Sequence, residues 1–169
     1  MIRNAEAQDL EHILAIYNDA ILNSTATYSY EVEDLEAREQ WFKEKQQKKE
    51  PVIVYEEADH VVAFATYGAF RNKPAYRYTV EHSIYVGESA RCKGVATQLL
   101  EELIRIAGTE GYRVMVAGID ASNSGSVRLH EKFGFVHAGT LKNVGFKFDR
   151  WLDLSFYQLD LYEKEASPR

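Results

Sequence analysis

Between residues 9 and 22, apolar side chains recur at Leu10, Ile13, Leu14, Tyr17, Ala20 and Ile21. That spacing draws one apolar stripe down a helix and predicts the first element. A weaker helix is predicted over 34–47, anchored by Leu35, Trp41 and Phe42, and the charged, Gln-rich segment 44–50 reads as its solvated end and a loop. Pro51 interrupts, and Val52-Ile53-Val54-Tyr55 predicts a strand joined by a polar turn over 56–60 to a partner strand over 61–70. A long strand is predicted over 76–86. Alternation puts Thr79, Glu81, Ser83 and Tyr85 on one face and Val80, His82, Ile84 and Val86 on the other, so one side meets a core and the other a wet cleft. Val95, Leu99, Leu103 and Ile106 predict the buried side of a third helix. A strand follows over 113–119, then a short helix over 123–133 stopped by Gly134, then strands over 135–142 and 151–161. This order predicts an α/β fold, a mixed sheet with helices on both faces.

The 169 residues suit one domain, placed at 1–162 with a polar tail over 163–169. Hydrophobic residues make up 46% and charged residues 27%, as in ordinary water-soluble domains. No apolar run approaches the roughly 18 residues of a membrane span, and the first residues lack a signal pattern, so a cytoplasmic protein with no membrane partner is expected. A single cysteine, Cys92, excludes an internal disulfide and a cysteine-based zinc cluster. No histidine pair has metal-site spacing backed by carboxylates, so no metal is expected. The net charge of −6 argues against nucleic acid as a partner, and it requires any anion site to gather its cations locally.

Arg91-Cys92-Lys93-Gly94-Val95-Ala96 does that gathering, between a predicted strand and a predicted helix. Gly94 allows close backbone approach, and the helix start offers unpaired N–H groups and a positive dipole end. Thr97 adds a hydroxyl. A phosphate-binding loop and a plain strand–helix connection with solvated cations both fit this hexapeptide. It is neither a dinucleotide fingerprint nor a Walker loop.

Read with its neighbours, Arg91-x-x-Gly94-x-Ala96 resembles the Arg/Gln-x-x-Gly-x-Gly/Ala signature of the GNAT acetyltransferase superfamily. Asn123, Ser126 and the run Leu129-His130-Glu131-Lys132-Phe133-Gly134-Phe135 follow in that superfamily's order and spacing. Three further segments resemble its phosphinothricin and methionine sulfoximine N-acetyltransferase branch: Thr79 to Val86, Ser126 to Glu131, and Gly145 to Trp151. The likeness runs from about Ile2 to Tyr162. It implies a mostly antiparallel GNAT-type sheet with a splayed central strand pair, acetyl-CoA as cosubstrate, and a small-molecule amine as acceptor. It also implies a homodimer. By position, the backbone of Ile84, Tyr85 and Val86 would meet the pantetheine and acetyl group. Arg91, Cys92, Lys93, Gly94, Val95, Ala96 and Thr97 would take the pyrophosphate, and Asn123 and Ser126 the thiol end.

Acetyl transfer to an amine needs a neutral nucleophile and a stabilised oxyanion, and the leaving thiolate benefits from a proton. Glu81 matches the glutamate proposed as base in the family, acting directly or through water; a carboxylate that only positions the ammonium fits as well. The oxyanion donor is expected to be a backbone N–H near Tyr85 or Val86. His130 stands where many GNAT enzymes carry an acidic tyrosine, and the roles of acid and of packing histidine stay open. His82 reads as a core residue and Cys92 as an incidental thiol. For an anionic acceptor group the resemblance points to Tyr28, Ala75, Tyr76, Arg77, Thr79 and Lys147, with Arg71, Phe148 and Trp151 near them. Arg77 beside Glu81 favours methionine sulfoximine, methionine sulfone or phosphinothricin over a polyamine, an aminoglycoside or a peptide N-terminus. A non-catalytic acetyl-CoA sensor is the reading outside enzymology.

Overall fold

Capping chemistry sets several element boundaries. The Asp34 carboxylate accepts a hydrogen bond from the Ala37 N–H at 2.8 Å and opens a helix over Leu35–Gln47. Asn123 does the same for Ser124–Lys132, accepting from the Ser126 N–H at 3.1 Å, and Gly134 ends that helix with φ of 91°. The computed structural model of the chain describes residues 1–162; the polar tail expected over 163–169 lies outside them. In order the elements are β1 (Ile2–Asn4), α1 (Leu10–Asn23), α2 (Leu35–Gln47), β2 (Val52–Glu57), β3 (His60–Ala69), β4 (Thr79–Val86), α3 (Val95–Thr109), β5 (Val114–Asp120), α4 (Ser124–Lys132), β6 (Val136–Lys147) and β7 (Arg150–Asp160).

Among the described residues the strands form one sheet in the order β1-β2-β3-β4-β5-β7-β6. The pairs β1–β2, β2–β3, β5–β7 and β6–β7 are antiparallel, and β4–β5 is parallel. The fold is therefore the mixed α/β arrangement that the pattern predicts, and mostly antiparallel as the resemblance implies. The parallel ladder covers only Thr79–Glu81 against Val114–Val116, whereas β5 pairs with β7 along its whole length.

The chain divides into two compact units. The first comprises Met1–Tyr67 and Ser83–Leu100. Its core joins Leu10, Ile13 and Ile16 of α1, Phe42 of α2, Val52 and Val54 of β2, and Val61 and Phe64 of β3. The second begins with Gly68–His82 and resumes at Glu101. It buries Val80, Leu103, Met115, Ala117, Phe135, Leu152 and Leu159.

Two boundaries depart from the pattern by three residues or more. The strand expected from residue 76 starts at Thr79, because Pro74 opens a 3-10 turn, Pro74–Tyr76, that ends with the Arg77 N–H bonded to the Pro74 carbonyl. The strand expected to stop at residue 142 continues to Lys147. Register shifts at His137/Gly139 and Leu141/Gly145, with Asn143 at φ 55°, break its alternation without ending its pairing.

Candidate active site

In the first unit, β4 runs through a 3-10 turn, Glu88–Ala90, into the exposed segment 91–94, and α3 begins at Val95. Cys92 (φ 60°) and Gly94 (φ 77°) both take left-handed backbone, and a Cβ on Gly94 would meet nothing within 4 Å. The first turn of α3 leaves N–H groups without intrahelical acceptors. Lys93 is exposed beside them. Arg91 is held in place: its guanidinium donates to Asp19 at 2.8 Å and to the Val86 carbonyl at 3.3 Å. Val95 is buried, while Ala96 and Thr97 are half-buried. An open backbone nest, a helix start and two cations fit a pyrophosphate.

Ile84, Tyr85 and Val86 end β4 half-buried. The Tyr85 ring stacks on Phe64 at 5.1 Å and meets Tyr17 edge-on at 5.3 Å, so its side chain belongs to the core margin rather than to an open polar face. Burial raises its phenol to about 12. Tyr28 is half-buried in the segment after α1. Sequence reasoning missed Arg38, a buried cation between the rings of Tyr17 (4.2 Å) and Trp41 (4.4 Å), paired with Glu33 at 2.6 Å. Its place in a charged helical run gave no signal of burial.

In the second unit, Glu81 is half-buried and its carboxylate has no hydrogen-bond or ion-pair partner among the described residues. Burial pushes its proton affinity above the usual carboxylate range, and the Arg71 cation opposes that shift. Val80 and His82, on the other face of β4, are buried, and Thr79 is half-buried at its start. His130 of α4 is buried, with Nδ1 2.6 Å from the Ser126 carbonyl and Nε2 3.0 Å from His82 Nε2. A carbonyl only accepts, so Nδ1 carries the proton, and His82 Nε2–H donates to the His130 Nε2 lone pair. His82 Nδ1 is left buried without a partner. Burial lowers His82 to about 3 and lowers His130 as well, which keeps both rings neutral. Asn123 is exposed; its amide oxygen caps α4, which leaves its NH₂ to donate elsewhere. Ser126 is half-buried.

The loop before β4 gathers Arg71, Ala75, Tyr76 and Arg77, all exposed. Arg71 lies over the Phe70 ring at 5.2 Å and Arg77 over Tyr78 at 4.9 Å, while Phe70 and Tyr76 meet edge-on. Lys147 is buried, its ammonium 5.2 Å from the Phe148 ring, and burial lowers its proton affinity. Phe148 and Trp151 are exposed. His12 and His60 are exposed and meet edge-on at 6.0 Å. Among the described residues, no cluster of three His, Cys, Asp or Glu side chains could hold a metal, and no helix is long and apolar enough to cross a membrane.

Residues 2–155 match the family model described as an acetyltransferase (GNAT) domain. The chain belongs to the GNAT acetyltransferase family. This GNAT chain is 44% identical to the L-methionine sulfoximine/L-methionine sulfone acetyltransferase of Pseudomonas aeruginosa, over 99% of its own length and 98% of the relative's. Two solved structures share the GNAT fold closely. An N-acetyltransferase from Staphylococcus aureus Mu50 is 60% identical, with TM-score 0.94 over 95% of this chain and 98% of that one. The yncA protein of Salmonella typhimurium, solved with its cofactor acetyl-CoA, is 41% identical, with TM-score 0.94 over 99% and 97%. The chain is thus an acyltransferase of an acetyl-CoA-dependent family.

Proposed function

We propose that the protein transfers an acetyl group from acetyl-CoA to the α-amine of a small amino-acid-like acceptor of the methionine sulfoximine and methionine sulfone type. The observation that carries this reading is Glu81, a half-buried carboxylate with raised proton affinity and no partner among the described residues. Burial raises the proton affinity of such a group, which strengthens it as a base for an attacking amine. The name of the Pseudomonas aeruginosa relative supports the acceptor class.

When bound, acetyl-CoA supplies the activated acetyl thioester. Arg91, Lys93 and the amides of Gly94 to Thr97 would hold its pyrophosphate, with Cys92 shaping the turn. Asn123 and Ser126 would line its thiol end. The backbone of Ile84, Tyr85 and Val86 would meet its pantetheine and acyl oxygen. Glu81 removes the proton of the acceptor's amine, directly or through a water. Arg77, with Ala75, Tyr76, Thr79 and Lys147, holds the acceptor's anionic end. The hydrogen-bond pattern supports the packing role for His130: both ring nitrogens are engaged, one donating to Ser126 and one accepting from His82. We also place the protein in the cytoplasm, as a homodimer in which a second copy covers the exposed Phe146, Phe148 and Trp151 of the β6–β7 hairpin. A monomer by light scattering contradicts the dimer.

The test is thiol release from acetyl-CoA with methionine sulfoximine, methionine sulfone, phosphinothricin, spermidine, an aminoglycoside and a short peptide. Turnover confined to the three amino-acid analogues is expected. Preferred turnover of spermidine, the aminoglycoside or the peptide overturns the acceptor class.

A further inference from the structure

Gly118 sits in the middle of β5, in register with Phe156 of β7. Glycine weakens a strand interior, and it is ordinarily kept for a positive φ or for close approach of another backbone or a ligand. Its φ is not positive; the glycines that need that freedom are Gly94, Gly111 and Gly134. Nor does backbone crowd it. A Cβ placed on Gly87 would lie 2.9 Å from the Val62 carbonyl oxygen, which forbids a side chain there. The three atoms nearest a Cβ on Gly118 are all in side chains at ordinary contact distance: Glu81 Oε2 at 3.4 Å, Leu154 Cδ1 at 3.5 Å and Phe156 Cε1 at 3.7 Å. The fold would accept alanine at this position, and alanine suits a strand interior better.

What the missing side chain leaves is a slot. Gly118 is exposed between buried Ala117 and buried Ile119. The Glu81 carboxylate bounds the slot on one side, and half-buried Leu154 and Phe156 make apolar walls. An amine that gives its proton directly to Glu81 must lie within about 3 Å of that carboxylate. Its carbon then lies one bond further on. An α-amino acid with a side chain carries its amine on a branched carbon, and the branch needs room that an unbranched CH₂ does not.

Resting on the functional reading above, we propose that Gly118 is a specificity-determining residue: the slot beside Glu81 takes the acceptor's α-carbon and its first side-chain carbon. One added methyl would then compete directly with the acceptor, and a methylene's worth of misfit in an apolar pocket changes discrimination by about 10- to 200-fold.

Gly118→Ala and Gly118→Val are compared with wild type by steady-state kinetics with methionine sulfone, by calorimetric binding of acetyl-CoA, and by thermal melting. The expected result is a KM for methionine sulfone raised fivefold or more in Gly118→Ala and no measurable turnover in Gly118→Val. Acetyl-CoA affinity should stay within twofold, and the melting temperature should be unchanged or higher. A rise in KM of less than fivefold overturns the slot. A parallel loss of acetyl-CoA affinity, or a lower melting temperature, also overturns it by assigning Gly118 to the cofactor or to the fold. A wild-type protein silent toward methionine sulfone overturns the functional reading and the slot with it, and that failure is seen in the wild type alone.

Discussion

Glu81 has a raised proton affinity because β4 leaves it half-buried while nothing among the described residues donates to it. Arg71 moderates the shift from a distance. A base must be ionised to act, so kcat/KM for methionine sulfone should fall as pH drops through a group titrating above the ordinary glutamate value of about 4.3. A pH–rate profile checks this; a rate flat down to pH 4.5 contradicts it. The Arg77 side chain is exposed and lies over the Tyr78 ring, so its guanidinium is open to an anionic acceptor. Arg77→Ala should raise the acceptor's KM about tenfold and leave acetyl-CoA binding unchanged, by steady-state kinetics and calorimetry. Glu81 was legible in the sequence because strand alternation separates it from Val80 and His82. Gly118 falls inside the strand predicted over 113–119, but whether backbone or ligand requires a glycine depends on what lies opposite, which only tertiary structure supplies. Arg38 was illegible for the same reason.

At the scale of elements, the His82–His130 hydrogen bond ties β4 to α4. The pair lies 48 residues apart in sequence, beyond the reach of any periodicity. It carries a cost at low pH. The folded His82 takes a proton only near 3, whereas the unfolded chain's histidine does so near 6.5. Between those values the unfolded state binds more protons, so stability is full above 6.5 and lost as pH falls toward 3. His130 is shifted in the same direction. In His82→Gln, which keeps a donor near His130, the dependence of unfolding free energy on pH between 6.5 and 4 should be shallower, by up to about 1.4 kcal/mol per pH unit. Urea unfolding at stepped pH measures it, and an unchanged slope contradicts the buried pair. The helices were readable from their apolar positions and, for α4, from the stop at Gly134, whereas the end of β6 and the start of β4 were misplaced. Bulges disguise the continuation of one, and the turn at Pro74 delays the other.

At the scale of the whole molecule, the order of strands and helices foretold a mixed sheet, and the pairing makes it mostly antiparallel with one short parallel ladder. An acidic chain of net charge −6 concentrates Arg91 and Lys93 at a helix start, the place proposed for the pyrophosphate. The measurement that tests the account most directly is turnover of methionine sulfone by Glu81→Gln at saturating acetyl-CoA, paired with its affinity for acetyl-CoA. Loss of the base predicts a kcat lower by about 10²-fold or more with cofactor affinity within twofold of wild type. A kcat equal to that of wild type would contradict Glu81 as the base.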